Sequence, residues 1–220
     1  MLGAPCFVRN NRTAALCPSE PMPHRQAVRG RSLEEVMLNA KQCVLYSGGA
    51  TGTEQFFGAL AEAWGIEEVN YSFEGHQIAR KRGVRVLTSE ELALKDVSLA
   101  YVSKLMNREY TQAPLFRKIL QSICWQVSSG RQVVVVGAIQ PDGTVKGGTG
   151  WGAEFAKICN KPLLVFDQVQ NAWFEWGNSC WNAVENPVIS QTHFAATGTR
   201  FLEDNGRDAI QDLYKRSFNR

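Results

Sequence analysis

Little in this sequence is suited to holding a metal. Its three histidines, His24, His76 and His193, are far apart, and none has a ligand-type neighbour at short spacing. The six cysteines (Cys6, Cys17, Cys43, Cys124, Cys159 and Cys180) form no CxxC pair, which argues against a zinc centre or a dithiol redox motif. No apolar run approaches the roughly 18 residues of a membrane span. The opening "MLGAPCFVRNNRTAALCP" lacks the continuous apolar stretch of a secretory signal. A cytoplasmic protein with reduced thiols, no metal and no membrane partner is therefore expected.

Charge of one sign is also scarce. The net charge is only +3, and Arg9, Arg12, Arg25, Arg29 and Arg31 fall in a segment whose one acid is Glu20. The rest of the chain is close to neutral and has no basic stripe, so nucleic acid is not an expected partner. The Arg-rich, acid-poor start has the composition of an organellar transit peptide as well as of a disordered tail, and residues 1–31 are read as the latter. Residues 32–220 are read as one domain, since 44% apolar and 20% charged residues are ordinary for a globular fold.

Periodicity then organises the chain. Ser32 and Glu35 form a capping box that opens a helix at "SLEEVMLNAKQ". "CVLYS" reads as a strand, and Phe56, Phe57, Leu60 and Trp64 as the apolar face of a helix stopped by Gly65. "VNYSF" and "VRVL" are strand candidates. A second capping box, Thr88 and Glu91, opens a helix running to about Met106. "QAPLFRKILQSICWQVSSG" has Pro114 in its first turn and Leu115, Ile119, Ile123 and Val127 four apart, an amphipathic helix. "RQVVVVGAI" is an unbroken β-branched run, the pattern of a strand buried on both faces. A Pro-Asp-Gly turn follows, then a helix from about Trp151 to Asn160 and a buried strand in "KPLLVFD". "THFAATGT" is expected as the last strand, and "NGRDAIQDLYKRSF" as the closing helix. Strands alternating with helices predict an α/β fold: a Rossmann-like three-layer sandwich around a mostly parallel sheet.

Two strand-to-helix turns are rich in glycine: "YSGGATGTEQF" and "VKGGTGWGAEF". A loop leaving the carboxyl end of a parallel strand and opening a helix presents unpaired N–H groups and partial positive charge, which suit an anion such as phosphate. Two such loops on one sheet line a shared crevice. The ligand-contacting candidates are Ser47, Gly48, Gly49, Gly52 and Thr53 in the first turn, and Gly147, Gly148, Thr149, Gly150 and Trp151 in the second. Neither turn is a GxxxxGK[ST] phosphate loop or a GxGxxG dinucleotide fingerprint. A first-turn carboxylate such as Glu54 is explained by helix-end electrostatics. Glu154 is instead a candidate to contact a ribose or to stabilise positive charge on a sugar carbon.

"GGTGWGAE" resembles the GGxGTxxE signature of the "lonely guy" (LOG) proteins. These are phosphoribohydrolases once described as lysine decarboxylases, within the wider SLOG superfamily of Rossmann-like folds. Gly147, Gly148, Gly150 and Glu154 fall on the signature. "SGGATGTEQF" resembles the superfamily's earlier glycine turn, including its YpsA-like and molybdenum-carrier-like branches. "FRK" sets Arg117 where the LOG enzymes carry a substrate-holding arginine. Over residues 43–167 the resemblance implies a nucleotide ligand, with phosphate at the glycines and Glu154 and Arg117 as catalytic residues near the ribose. It also implies cleavage of the base–ribose bond and a homodimer or higher homo-oligomer, with no cofactor. The departures are Lys146 for proline, Trp151 for threonine, Ala153 for a second glutamate and the inserted "QPDGTV". Trp151 and the inserted turn favour the alternative of a non-catalytic sensor or carrier of a nucleotide or cofactor.

Several other side chains carry two readings. Arg200, at the end of "FAATGTR", either binds a ligand anion or is a surface arginine. Asp167 either serves a ribose or caps its loop. His76 lacks an identifiable partner for a general base. Arg108 is expected to pair with Glu109 or Asp96.

Overall fold

The computed structural model describes residues 37–219. The Ser32–Glu35 box and the segment 1–31 lie outside them. The main sheet has eight strands: β2 (Val44–Ser47), β3 (Glu67–Phe73), β4 (Val84–Leu87), β5 (Gln132–Gly137), β6 (Leu163–Asp167), β7 (Ala172–Gly177), β8 (Cys180–Val184) and β9 (His193–Gly198). Their spatial order is β4-β3-β2-β9-β5-β6-β7-β8. Neighbours are parallel from β4 through to β6, and β7 and β8 join antiparallel at one edge. The helices are α1 (Thr53–Trp64), α2 (Ser89–Ala93), α3 (Asp96–Met106), α4 (Pro114–Ser129), α5 (Gly148–Ile158) and α6 (Asp204–Ser217). The fold is the expected α/β class, a mostly parallel sheet between two helical layers.

Each face of the sheet has its own core. Phe57 of α1 and Ile210, Leu213 and Tyr214 of α6 pack on one face, with Val134, Val136 and Phe194 from the sheet. Leu99, Leu120, Val127 and Trp151, from α3, α4 and α5, pack on the other, against Val133 and Val135. Every residue of β5 is buried, as its unalternating sequence requires.

Two local expectations are revised. The stretch 37–42, read as helix, forms a two-residue strand β1 (Leu38–Asn39) and a 3-10 turn at Ala40–Gln42. There the Asn39 side chain accepts from the Lys41 N–H at 3.1 Å, a local bond that competes with helix. β1 pairs in parallel with β10 (Phe218–Asn219), so a long-range pairing decides the segment. The helix expected from 88 to 106 is two helices, and Lys95 between them reaches across to Ser128 at 2.9 Å and the Trp125 ring at 4.4 Å. The Thr88–Glu91 capping box opens the first of them.

The place of β9 matters most for the site. β9 is the last strand of this sheet in chain order, as expected, and it lies in the middle of the sheet between β2 and β5. Its Ala195, Ala196 and Gly198 are small, which lets helices approach from both sides. A Cβ on Gly198 would stand 2.6 Å from Thr53 Cγ2 of α1. On the opposite face, a Cβ on Gly152 of α5 would stand 3.6 Å from Thr197 Cγ2.

Candidate functional site

α1 follows β2 and packs on one face, while α5 follows β5 and packs on the other. The chain thus winds in opposite senses from the two strands, with β9 between them. This is a topological switch point, and the carboxyl ends of β2, β9 and β5 open there into a crevice of about 730 Å³. Both glycine turns border it. So does the Thr197–Phe201 segment after β9, together with one face of α4 that runs from Leu115 to Gln126.

The second turn leaves backbone N–H groups open towards the crevice, an arrangement that can hold an anion. Gly147 is the N-cap of α5 at φ 74, a conformation that favours glycine, and the helix begins at Gly148, three residues before the expected start. The first-turn N–H groups, Gly148 and Thr149 among them, have no carbonyl partner within the helix. Gly148 and Thr149 line the crevice, as does Lys146. A Cβ on Gly148 would meet only the Phe116 ring edge, at 3.5 Å. Gly150 serves the backbone instead, since a Cβ there would collide with the Val145 carbonyl oxygen.

The first turn is capped from within. Glu54 is buried; its Oε2 accepts the Ala50 N–H at 3.0 Å and its Oε1 accepts the Thr197 hydroxyl at 2.7 Å. Burial raises the Glu54 carboxyl pKa above the ordinary carboxylate value, against the pull of those hydrogen bonds. A donor group that an anion would need is therefore already engaged by the chain's own carboxyl group. Gly52 has φ 93 and lies where a Cβ would stand 2.7 Å from Arg200 Cα, and Thr53 N–H and hydroxyl both reach Thr199 O, at 3.1 and 2.9 Å. These contacts tie the first turn to the end of β9.

Of the candidates from the sequence, Gly48, Gly147, Gly148, Thr149 and Arg200 line the crevice together. Ser47, Gly49, Gly52, Thr53 and Gly150 hold its walls without lining it. The Ser47 hydroxyl donates to Ala196 O at 3.0 Å. A Cβ on Gly49 would stand 2.7 Å from the Arg80 carbonyl oxygen. Trp151 is 4% exposed in the core beneath α5, its ring 5.9 Å from that of Tyr110.

Glu154 and Arg117 do not line the crevice. Glu154 pairs with Lys157 at 2.6 Å, and Lys157 sits 3.7 Å over the Trp176 ring and 4.6 Å over Trp181 of the β7–β8 hairpin. Arg117 pairs with Asp96 at 2.7 Å and stacks 4.8 Å over Tyr110. Burial opposes ionisation of Asp96, but hydrogen bonds from Arg117, Tyr110 and Gln121 outweigh it and lower its pKa.

Asp167 is 1% exposed and caps its loop, accepting from the N–H groups of Ile139, Val169 and Gln170. Arg108 pairs with neither Glu109 nor Asp96. It braces the inserted turn instead, donating to Gln140 Oε1 at 2.5 Å and Thr144 Oγ1 at 2.6 Å. His76 lines the crevice with its Nδ1 3.2 Å from Ser72 Oγ and its ring stacked on Phe73 at 4.4 Å. Burial lowers its pKa, which favours the neutral imidazole.

Sequence reasoning missed Glu54, Phe116, Gln126 and Thr197 as crevice residues, and treated Lys146 only as a departure from a signature. The position of Lys146 directly before Gly147 was the available signal. Gln126 had one too, a polar residue beside the apolar row of α4. Among the described residues there is no cluster of three or more metal-ligating side chains, and no helix is long and apolar enough to cross a membrane.

Fold and site together define a Rossmann-like α/β protein with a ligand-sized crevice at its switch point. No protein-family model matches the chain, and no curated protein matches it. Among solved structures, a "putative molybdenum carrier protein" from Syntrophus aciditrophicus SB is similar at 15% identity and a TM-score of 0.47, over 81% of this chain and 95% of that one.

Proposed function

We propose that the protein binds a nucleotide or phosphorylated nucleoside derivative in this crevice, as a carrier or sensor rather than as a hydrolase. The observation that supports binding is the α5 N-terminus: Gly148 and Thr149 border the crevice with helix-dipole charge behind them, and Lys146 and Arg200 lie at its margin. The apolar wall of Leu115, Phe116 and Ile119 offers the surface that a flat base needs. The carrier reading rests on the Glu154–Lys157 ion pair, which engages the signature carboxylate beneath the β7–β8 hairpin.

Titration with common nucleoside monophosphates, followed by calorimetry and by release of free base, tests both parts. Binding with no base released is the expected result. Base release that disappears in Glu154→Gln would establish the hydrolase instead. No heat and no thermal shift with any phosphorylated probe would remove the binding reading.

A further inference from the structure

We infer that Gln126 reads the base of the ligand: its carboxamide hydrogen-bonds a planar edge that carries a donor beside an acceptor. This rests on the binding reading above and names the part of the ligand that the anion site leaves open. Gln126 is 2% exposed, lies on the crevice wall, and its Oε1 has no hydrogen-bond partner among the described residues. Buried polar atoms are nearly always paired, so an orphan acceptor on a carboxamide that lines a crevice points to a donor that arrives with a ligand and is met by a turn of the carboxamide.

The surroundings fit that role. Leu115, Ile119 and Ile123 make most of this α4 face apolar, the Ser122 hydroxyl beside them donates to the Ile119 carbonyl of the same helix at 2.8 Å, and an aliphatic residue at 126 would have continued the apolar row. Gly48 leaves the space that the polar group occupies: a Cβ there would stand 2.5 Å from Gln126 Nε2 and 2.9 Å from Glu54 Oε2. The second turn, by contrast, offers N–H donors suited to an anion. A carboxamide offers one acceptor oxygen and two N–H donors in one plane, which complement the amino–imine or lactam edge of a nucleobase. A phosphorylated sugar alone has no such edge.

The test is calorimetric titration of the full chain and of Gln126→Leu. The probes are the common ribonucleoside monophosphates, phosphoribose lacking a base, and inorganic phosphate. The wild type is expected to bind at least one nucleotide more tightly than phosphoribose. Gln126→Leu should lose that preference, by about tenfold in affinity, with phosphoribose binding unchanged. Its unliganded melting temperature should not fall, because the substitution removes an unpaired buried acceptor. Gln126→Met takes its place should the leucine variant fail to fold. Equal binding of nucleotides and phosphoribose by the wild type, or an unchanged preference in the variants, would overturn the role of Gln126 and leave the anion site standing. Failure of every probe to bind the wild type would remove the binding reading itself.

Discussion

Glu54 at the start of α1 accepts the Thr197 hydroxyl of β9 at 2.7 Å, a contact that spans 143 residues of sequence. It joins the first glycine turn to the central strand inside the crevice. Burial raises the carboxyl pKa, so the folded protein keeps a proton there that the unfolded chain releases near the ordinary value of 4.5. Above that value the folded state binds more protons than the unfolded one, and stability falls as pH rises towards the folded pKa. Glu54→Gln resembles the protonated form. Denaturant unfolding of the variant between pH 4 and 8 is expected to show a flatter pH dependence than the wild type. An unchanged slope would mean that Glu54 stays ionised in the fold.

The glycines of "VKGGTGWGAEF" separate into two kinds, and alanine distinguishes them. Gly150→Ala puts a Cβ against the Val145 carbonyl oxygen, and backbone must move. A loss of about 2–3 kcal/mol in denaturant unfolding is expected, the scale of overpacking in a tight site. Gly148→Ala meets only the Phe116 ring edge at 3.5 Å, so its stability should lie within about 0.5 kcal/mol of wild type. Its new methyl group sits where a ligand would approach the backbone. Binding measured by calorimetry should therefore weaken in Gly148→Ala, though the fold is retained.

The parallel architecture was legible in the sequence because its strongest signals are local. The valine run of β5, the row from Leu115 to Val127 in α4 and the Thr88–Glu91 box each report on a few adjacent residues. What was hidden depends on long-range packing. The order of β9 in the chain says nothing of its central place between β2 and β5, for which its small residues fit it. Residues 38–39 form a strand only because Phe218 and Asn219 lie beside them. Both glycine turns border one crevice. Which side chains face it was decided also by α4 and by the end of β9. Glu154 lay on a signature in one dimension, while its direction was set by Lys157 one helical turn later.

That ion pair makes its own prediction. The Glu154 and Lys157 side chains are 12% and 10% exposed, and Trp176 and Trp181 cover the ammonium group. Lys157→Met keeps the aliphatic stem against the indoles but leaves Glu154 without its cation. A loss of roughly 2–3 kcal/mol is expected, short of the cost for a fully buried pair. Glu154→Gln leaves a polar partner for the ammonium and should cost less. Chemical denaturation followed by tryptophan fluorescence reads both, since Trp176 and Trp181 report on the hairpin directly. Equal stability of all three proteins would show that the pair does not hold the hairpin to α5.

Lys146 and Arg200 are exposed residues at the crevice margin, so their attraction for an anion acts largely through solvent. Such an interaction is screened over about 8 Å at physiological ionic strength. Lys146→Ala and Arg200→Ala are expected to weaken nucleotide binding by about 3- to 10-fold each at low salt, and to make the affinity less sensitive to added salt. The amide donors of Gly148 and Thr149 keep their position in both variants. The double variant should therefore retain weak binding that salt reduces only slightly. Calorimetry at two ionic strengths gives the comparison. A salt dependence as steep in the double variant as in the wild type would assign the electrostatic contribution to other groups.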